Sequence, residues 1–256
     1  MDIKMIVCDL DGTLLRSDKT LSQPTLDALA GCREKGIIIA IATARSEYNI
    51  NIVTDFFVPD VLITSGGSVA RYREQIVHQA LLTADDANGI ANKLTAVEGV
   101  GITIARTDEG YFTSKPFDSK GYEGAVVVDF TKNVLGQTQK IVVEMPSPEV
   151  AKSLLESLPN VAATAFTGEK WVAFHCKNAA KWQGVAAVAK HLGIETGEIV
   201  AFGDDFNDLE MVEKCGIGVA MENGISEIKG AADYVCDTND NDGVAKWLEE
   251  YLLKEV

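Results

Sequence analysis

The chain has 256 residues, of which 38 are acidic and 23 basic, so its formal net charge is −15. This length allows one large or two small domains with a sizeable core, and it excludes a disulfide-stapled mini-protein. The acidic balance counts against a nucleic-acid or anionic-membrane partner, because either would repel the protein. A small anionic substrate is still compatible, since a bound metal can make a single site locally positive.

Five cysteines are spread along the chain without any C-x-x-C pair. This usage is typical of reduced thiols in a cytoplasmic protein. The first residues lack the long apolar region of a signal peptide, and no apolar stretch approaches the roughly 18 residues that cross a bilayer. We therefore expect a cytoplasmic protein without a membrane anchor.

The first part of the chain alternates short apolar runs with an amphipathic segment. The runs at 5–8, 37–42 and 61–64 are apolar throughout, which is typical of strands buried on both faces of a parallel sheet. Apolar residues in 22–35 recur at helical spacing, with Pro24 near the start and Gly36 just after the end. This order of strand, helix and strand predicts a βαβ unit.

The middle of the chain has a different pattern. Two helices are predicted here, at 83–97 and 147–158, together with strands at 101–106, 111–114, 125–130, 140–145, 161–166 and 170–176. Turns that contain glycine, such as Asp108-Glu109-Gly110, favour antiparallel pairing of these strands.

The last part returns to the alternation of the first. Helices are predicted at 179–192, 205–214 and 242–253, and strands at 199–202, 217–220 and 234–236. The sequence therefore predicts an α/β protein with a doubly wound, mainly parallel Rossmann-like sheet built from residues 1–81 and 177–256. A second α/β domain, residues 82–176, is inserted into it.

Two acidic motifs follow predicted strands of the parallel sheet. Asp9 and Asp11 come directly after the first strand, and Asp204, Asp205 and Asp208 follow the strand at 199–202. Ligands of such sheets bind at the carboxyl ends of the strands, and grouped carboxylates are typical Mg²⁺ ligands. A surface turn explains the first motif alone, and a helix N-cap with favourable dipole charges explains part of the second. Two acidic strand ends together favour a metal site.

Two further segments carry candidate phosphate-binding groups. Thr43 and Ala44 follow the strand at 37–42, where a hydroxyl and successive N–H groups suit phosphate oxygens; an N-cap for a helix starting near Ser46 is the alternative. Lys181 lies in the first turn of a predicted helix, an unfavourable place for a cation unless an anion is bound there. Lys177, four residues earlier, is the rival candidate.

These motifs resemble the haloacid dehalogenase (HAD) superfamily. The residues that carry the resemblance are D-x-D-G-T at 9–13, Thr43, Lys181 and G-D-x-x-N-D at 203–208, and the inserted region is similar to the type IIB cap of Cof-type members. The segments at 218–224 and 241–245 also resemble Cof-type signatures. Gly193-Ile194 fits the family spacing only if Lys181, rather than Lys177, is the family lysine.

The resemblance implies a role for each matching residue. Asp9 is the expected nucleophile, and Asp11 is the expected acid and base. The expected Mg²⁺ ligands are Asp9, Asp204 and the backbone carbonyl of Asp11, with support from Asp208. The remaining expected contacts are with the phosphate: the side chains of Thr43, Lys181 and Asn207, and the backbone N–H groups of Leu10 and Ala44.

Two positions depart from the family pattern. Ala44 replaces a usual glycine but keeps its N–H, so we expect phosphate binding to survive. Gly66-Gly67 replaces a usual Asn-Gly pair, and we expect this change to affect only the local loop.

By this resemblance the chain is expected to be a Mg²⁺-dependent phosphatase of small phosphorylated metabolites, foremost sugar phosphates. It would act through an aspartyl-phosphate, with the cap closing over the leaving group. One alternative is a phosphotransferase or phosphomutase that uses the same nucleophile. A non-catalytic, phosphometabolite-binding regulator is disfavoured, because the nucleophile, the metal ligands and the lysine are all present. The oligomeric state is left open.

Overall fold

The computed structural model describes residues 2–47, 50, 57–117, 122, 124–166 and 169–254. Contacts between backbone positions divide the chain into two compact units: Met1–Gln79 with Ala180–Val256, and Ala80–Ala179. We call the first unit the core and the second the cap. The borders predicted from the sequence fall after residues 81 and 176.

The described residues of the first core segment form one helix and five strands. Helix α1, Gln23–Glu34, begins at Ser22, whose hydroxyl accepts a hydrogen bond from the N–H of Thr25, and is followed by Gly36 at φ +81°. The strands are β1 (Met5–Cys8), β2 (Ile38–Ala42), β3 (Val61–Thr64), β4 (Val69–Tyr72) and β5 (Gln75–Gln79).

In the part of the cap that the structure describes, two helices pack on one face of a sheet. Its elements are α2 (Ala84–Thr95), β6 (Thr103–Thr107), β7 (Gly110–Thr113), β8 (Val126–Val127), β9 (Thr138–Glu144), α3 (Pro148–Leu155), β10 (Val161–Ala165) and β11 (Trp171–Cys176). The strand order is β10-β11-β9-β6-β7-β8, and all neighbours are antiparallel except β7 and β8. The strand predicted at 125–130 is shorter, because Asp129 caps a 3₁₀ turn at Phe130–Lys132.

The second core segment completes the parallel sheet. It contains α4 (Lys181–Leu192), β12 (Ile199–Gly203), α5 (Leu209–Lys214), β13 (Ile217–Met221), α6 (Ser226–Ala231), β14 (Tyr234–Cys236) and α7 (Gly243–Leu248), which continues as a π-helical segment, Glu249–Leu253. The described strands of the core lie in the order β14-β13-β12-β1-β2-β3-β4-β5. Pairing is parallel from β14 to β3, and β4 and β5 add an antiparallel edge.

Strand β1 shows why the apolar runs predict buried strands. Ile6 and Cys8 belong to the hydrophobic cluster on one face of the sheet, whereas Met5 and Val7 belong to the cluster on the other. Side chains of a strand alternate between faces, so both faces must be apolar when helices cover both. The doubly wound α/β architecture predicted from the sequence is confirmed.

Several other elements of the core also differ from the prediction. The helix expected at 205–214 begins as a 3₁₀ turn, Phe206–Asp208, before α5, because the Asp205 side chain accepts from a backbone N–H and caps this turn. The β4–β5 hairpin and helix α6 were not predicted. Strand β5 lies at the sheet edge and is largely exposed, so it lacks the apolar pattern of a buried strand.

Two findings bear on the expected environment of the protein. In the described part of the chain, no helix combines the length and the apolar character needed to cross a membrane. All five cysteines are free thiols, and four of them are buried.

Gly184 and Gly230 provide a matched test of core packing. A Cβ atom on Gly184, in α4, would lie 2.6 Å from Cγ2 of Ile63 on β3, whereas one on Gly230, in α6, would enter open space. We expect Gly184→Ala to lower the free energy of unfolding by about 1–3 kcal/mol through overpacking. Gly230→Ala should raise it by about 0.5–1 kcal/mol, because alanine is the better helix former. Urea denaturation checks both; equal effects would contradict this packing.

Candidate active site

Three of the predicted site residues directly follow adjacent parallel strands, at their carboxyl ends. Asp9 follows β1, Asp204 follows β12 and Thr43 follows β2, and β1 pairs with both of the other strands. The N–H of Asp9 donates to the carbonyl of Phe202 at 3.0 Å, which extends the β1–β12 pairing to Asp9. The sheet therefore brings together motifs that are far apart in the chain.

A tight turn after β1 places Gly12 and Thr13 of the D-x-D-G-T motif against Asp204. The hydroxyl of Thr13 donates to Oδ1 of Asp204 at 2.7 Å, and Gly12 has φ +85°. A Cβ atom on Gly12 would overlap the carboxylate of Asp204, so only glycine allows this approach. Leu10 is fully buried in the core cluster. The backbone N–H of Leu10 is therefore the group left for the phosphate contact expected of this residue.

Lys181 is buried among the carboxylates. Its Nζ donates to Oδ1 of Asp9 at 2.5 Å and to Oδ1 of Asp208 at 2.6 Å, and it lies 3.3 Å from the side-chain oxygen of Asn207. Only 1% of the Lys181 side chain is exposed. Lys177 is exposed and belongs to the cap. The structure thus brings Lys181 together with the acidic residues.

Gly67, the glycine of the Gly66-Gly67 pair that the family pattern also has, packs next to Lys181, whereas a Cβ atom on Gly66 would enter open space. Gly67, at φ +101°, lies so close to the start of α4 that a Cβ atom would overlap the backbone of Ala180 and Lys181. The loop after β3 therefore packs directly against the helix turn that carries the lysine. Glycine is required at position 67, and no other residue gives this approach without moving Lys181.

Burial and the neighbouring charges together shift the pKa values of Lys181, Asp9 and Asp204. Burial acts to lower the pKa of Lys181, but the charges of Asp208 and Asp9 outweigh it and raise the pKa. The side chain is therefore positively charged. Burial raises the pKa of Asp9 well above its ordinary value, and the neighbouring carboxylates add to this. Burial also raises the pKa of Asp204, to about 6, against the hydrogen bond from Thr13. One ammonium does not balance the three carboxylates.

The acidic cluster fits a divalent cation. One oxygen from each of Asp9, Asp204 and Asp208 lies within 4.8 Å of the others. Asp208 already accepts from Lys181 through Oδ1, and from the N–H groups of Asp204 and Asp205 through Oδ2. It therefore holds the loop and the lysine, and Asp9 and Asp204 are the carboxylates suited to a hard cation such as Mg²⁺.

The carboxylate of Asp11 is bound by two cations. Oδ2 accepts from Nε of Arg45 at 2.7 Å, while Oδ1 accepts from Nη2 of Arg45 at 2.7 Å and from Nζ of Lys19 at 2.8 Å. Burial acts to raise the pKa of Asp11, but these hydrogen bonds outweigh it and lower the pKa. Neither cation was predicted to be a site residue; the one signal for Arg45 in the sequence is its place two positions after Thr43.

Thr43 is buried and takes part in a local turn. Its hydroxyl accepts from the N–H of Arg45 at 3.1 Å, and its carbonyl accepts from Gly66. Ala44 is half-buried. The helix expected to start near Ser46 falls largely outside the described residues. The phosphate contacts expected of Thr43 and Ala44 stay predictions.

Comparison with known proteins agrees with the motifs. A family model described as haloacid dehalogenase-like hydrolase matches residues 6–248. A 5-amino-6-(5-phospho-D-ribitylamino)uracil phosphatase of Bacillus subtilis is 28% identical, over 97% of each chain.

Solved structures share the whole architecture. A structure described as an HAD subclass IIB sugar phosphatase aligns with a TM-score of 0.86 at 24% identity, covering 98% of this chain and 100% of that chain. A phosphatase of the same superfamily from Bacteroides thetaiotaomicron aligns with a TM-score of 0.85 at 25% identity, covering 98% and 96%. The chain therefore belongs to the haloacid dehalogenase-like hydrolase family, and it is an enzyme with the fold of the subclass IIB phosphatases.

Proposed function

We propose that this phosphatase hydrolyses small phosphorylated metabolites, foremost sugar phosphates, with Mg²⁺ and through an aspartyl-phosphate on Asp9. The observation that carries the proposal is the buried contact of Lys181 with Asp9 and Asp208, beside Asp204, at the end of a parallel sheet. The relatives add support for the substrate class, since one is named for a phosphoribityl compound and one structure is described as a sugar phosphatase.

The first half of the reaction transfers the phosphoryl group to Asp9. A carboxylate oxygen of Asp9 forms a bond to phosphorus while the bond from phosphorus to the ester oxygen breaks. Asp11 gives its proton to that departing oxygen, so the product is a neutral alcohol. Arg45 and Lys19 hold Asp11 as a carboxylate in the free protein. An incoming phosphate dianion favours its protonation, because like charges repel.

The second half releases phosphate. Asp11, now a carboxylate, accepts a proton from water as the water oxygen bonds to phosphorus. The bond between phosphorus and Asp9 breaks, which restores the Asp9 carboxylate and yields inorganic phosphate. Two easier displacements thus replace one difficult step.

The remaining residues balance the negative charge of the phosphate. Lys181 provides a fixed positive charge, and we assign the other phosphate contacts to Thr43, Asn207 and the N–H groups of Leu10 and Ala44. Asp9, Asp204 and the Asp11 carbonyl would hold Mg²⁺, with Asp208 orienting the loop. When bound, the metal neutralises phosphate oxygens and lets an anionic ester approach a carboxylate.

Mg²⁺ should stabilise the protein at neutral pH. The folded pKa of Asp204, about 6, exceeds its unfolded value of about 3.9, so the metal-free protein loses stability as pH rises through this range. We expect saturating Mg²⁺ to raise the melting temperature more at pH 7 than at pH 5, since protons compete for the same oxygens. When the Mg²⁺ concentration is about 100 times the dissociation constant, binding raises the free energy of unfolding by about 2.7 kcal/mol.

Thermal unfolding of two variants provides the comparison. Asp204→Asn should lose the Mg²⁺ effect, whereas Glu213→Gln, which changes an exposed carboxylate, should keep it. An undiminished shift in Asp204→Asn would remove Asp204 from the metal site.

Asp9→Asn should keep the fold and lose turnover. The amide matches the carboxylate in shape, and burial already disfavours the charge at this position. We expect phosphate release from p-nitrophenyl phosphate to fall by about a thousandfold or more. Asp27→Asn, in an exposed part of α1, is the control and should retain the wild-type rate. Wild-type turnover by Asp9→Asn would mean that Asp9 is not the nucleophile.

A further inference from the structure

Lys19 lies in a turn whose backbone favours glycine. Its φ is +66°, in the left-handed region that side chains with a Cβ atom rarely adopt. The N–H of Lys19 donates to the carbonyl of Arg16 at 2.8 Å, and the N–H of Arg16 donates to the carbonyl of Thr20 at 3.0 Å. A lysine at this position keeps a backbone strain that glycine would relieve. Strain retained at one residue points to a use for its side chain.

Two anchors hold this turn against the segment at 238–242. Arg16 forms a bidentate ion pair with Asp242, with Nη2 at 2.9 Å and 2.8 Å from the two carboxylate oxygens. The N–H and hydroxyl of Ser17 donate to the two oxygens of Asp240, at 2.8 Å and 2.7 Å. The Asn241-Asp242-Gly243 motif thus has a structural role, since Asp242 holds the turn that carries Lys19.

The anchored turn directs the Lys19 ammonium at Asp11. Nζ of Lys19 lies 2.8 Å from Oδ1 of Asp11, and Arg45 binds both oxygens of the same carboxylate. The planar guanidinium sets the plane of the carboxylate, and the lysine contacts one edge of it from a different segment of the chain. The side chain of Asp11 is 36% exposed, so packing alone does not fix its orientation.

We propose that Lys19 is a positioning residue for Asp11. It holds the carboxyl group in the orientation from which Asp11 passes a proton to the departing oxygen of the ester. This inference rests on the proposed function, in which Asp11 is the acid. The strained turn and its two acidic anchors, Asp240 and Asp242, then hold Lys19 in place beside Asp11.

The leaving group distinguishes this role from a structural one. The p-nitrophenolate ion is stable enough to depart without a proton, whereas the alkoxide of a sugar is not and needs the acid. Loss of proton delivery therefore slows an alkyl phosphate much more than p-nitrophenyl phosphate. General damage to the site slows both esters by the same factor.

The test compares ribose 5-phosphate with p-nitrophenyl phosphate in the full-length protein. Lys19→Gly and Lys19→Met should lower kcat for ribose 5-phosphate at least about tenfold more than for p-nitrophenyl phosphate, with a smaller change in KM. Tenfold is part of the roughly 10²–10⁴-fold that general acid catalysis contributes, because Arg45 still holds Asp11 in these variants. Lys19→Gly should melt at or above the wild-type temperature, because glycine relieves the strain at φ +66°. This variant separates loss of the side chain from loss of folding.

Lys214→Met is the matched control. Lys214 pairs with Glu210 on α5, and its side chain is 46% exposed, compared with 48% for Lys19. It should leave both reactions unchanged. Equal losses on the two esters in both Lys19 variants, or no loss on either, would overturn the inference while the proposed function stands. A wild-type protein inactive on both esters would instead contradict the proposed function.

Discussion

The ammonium of Lys181, buried between Asp9 and Asp208, is the interaction on which the rest of the structure depends. Asp9 and Lys181 are 172 positions apart in the chain, and the hydrogen bond between them joins the end of the first strand to the start of α4. Removing one partner from a buried ion pair typically costs about 3–5 kcal/mol, because the remaining charge is left uncompensated. The same contact holds the proposed nucleophile beside a fixed positive charge.

Close approach of the backbone makes this arrangement possible. Glycines stand at three positions where a Cβ atom would overlap a neighbour in or next to the site: Gly12 against Asp204, Gly67 against Ala180, and Gly203 against Asp208. Each brings one segment within reach of the charged cluster. The acidic surplus that results is unfavourable for the metal-free protein and favourable for a divalent cation, so the same geometry that strains the site suits it to metal binding.

Residues at strand ends could be predicted from the sequence, and residues that reach the site through turns could not. Asp9, Asp204 and Lys181 follow buried strands or begin a helix, and the topology of a parallel sheet brings such positions to one edge. Arg45 contacts Asp11 because its side chain is long enough to extend to it. Lys19 contacts Asp11 because it lies in a turn in which its own backbone is left-handed. No periodicity in the sequence encodes those features. The same limit explains why the edge hairpin β4–β5 was not predicted, since its strands are short and partly exposed.

Asp9 is the proposed nucleophile that accepts the phosphoryl group, and chemical trapping of the aspartyl-phosphate tests this role most directly. The enzyme is quenched in acid during turnover of p-nitrophenyl phosphate, treated with borohydride and digested for mass spectrometry. An aspartyl-phosphate is an acyl phosphate and is reduced to homoserine, whereas a free carboxylate is not reduced. We expect homoserine at position 9 only, and only when the enzyme is quenched in the presence of substrate. Homoserine at Asp11 or Asp204, or an unmodified Asp9 in an enzyme that is turning over, would contradict it.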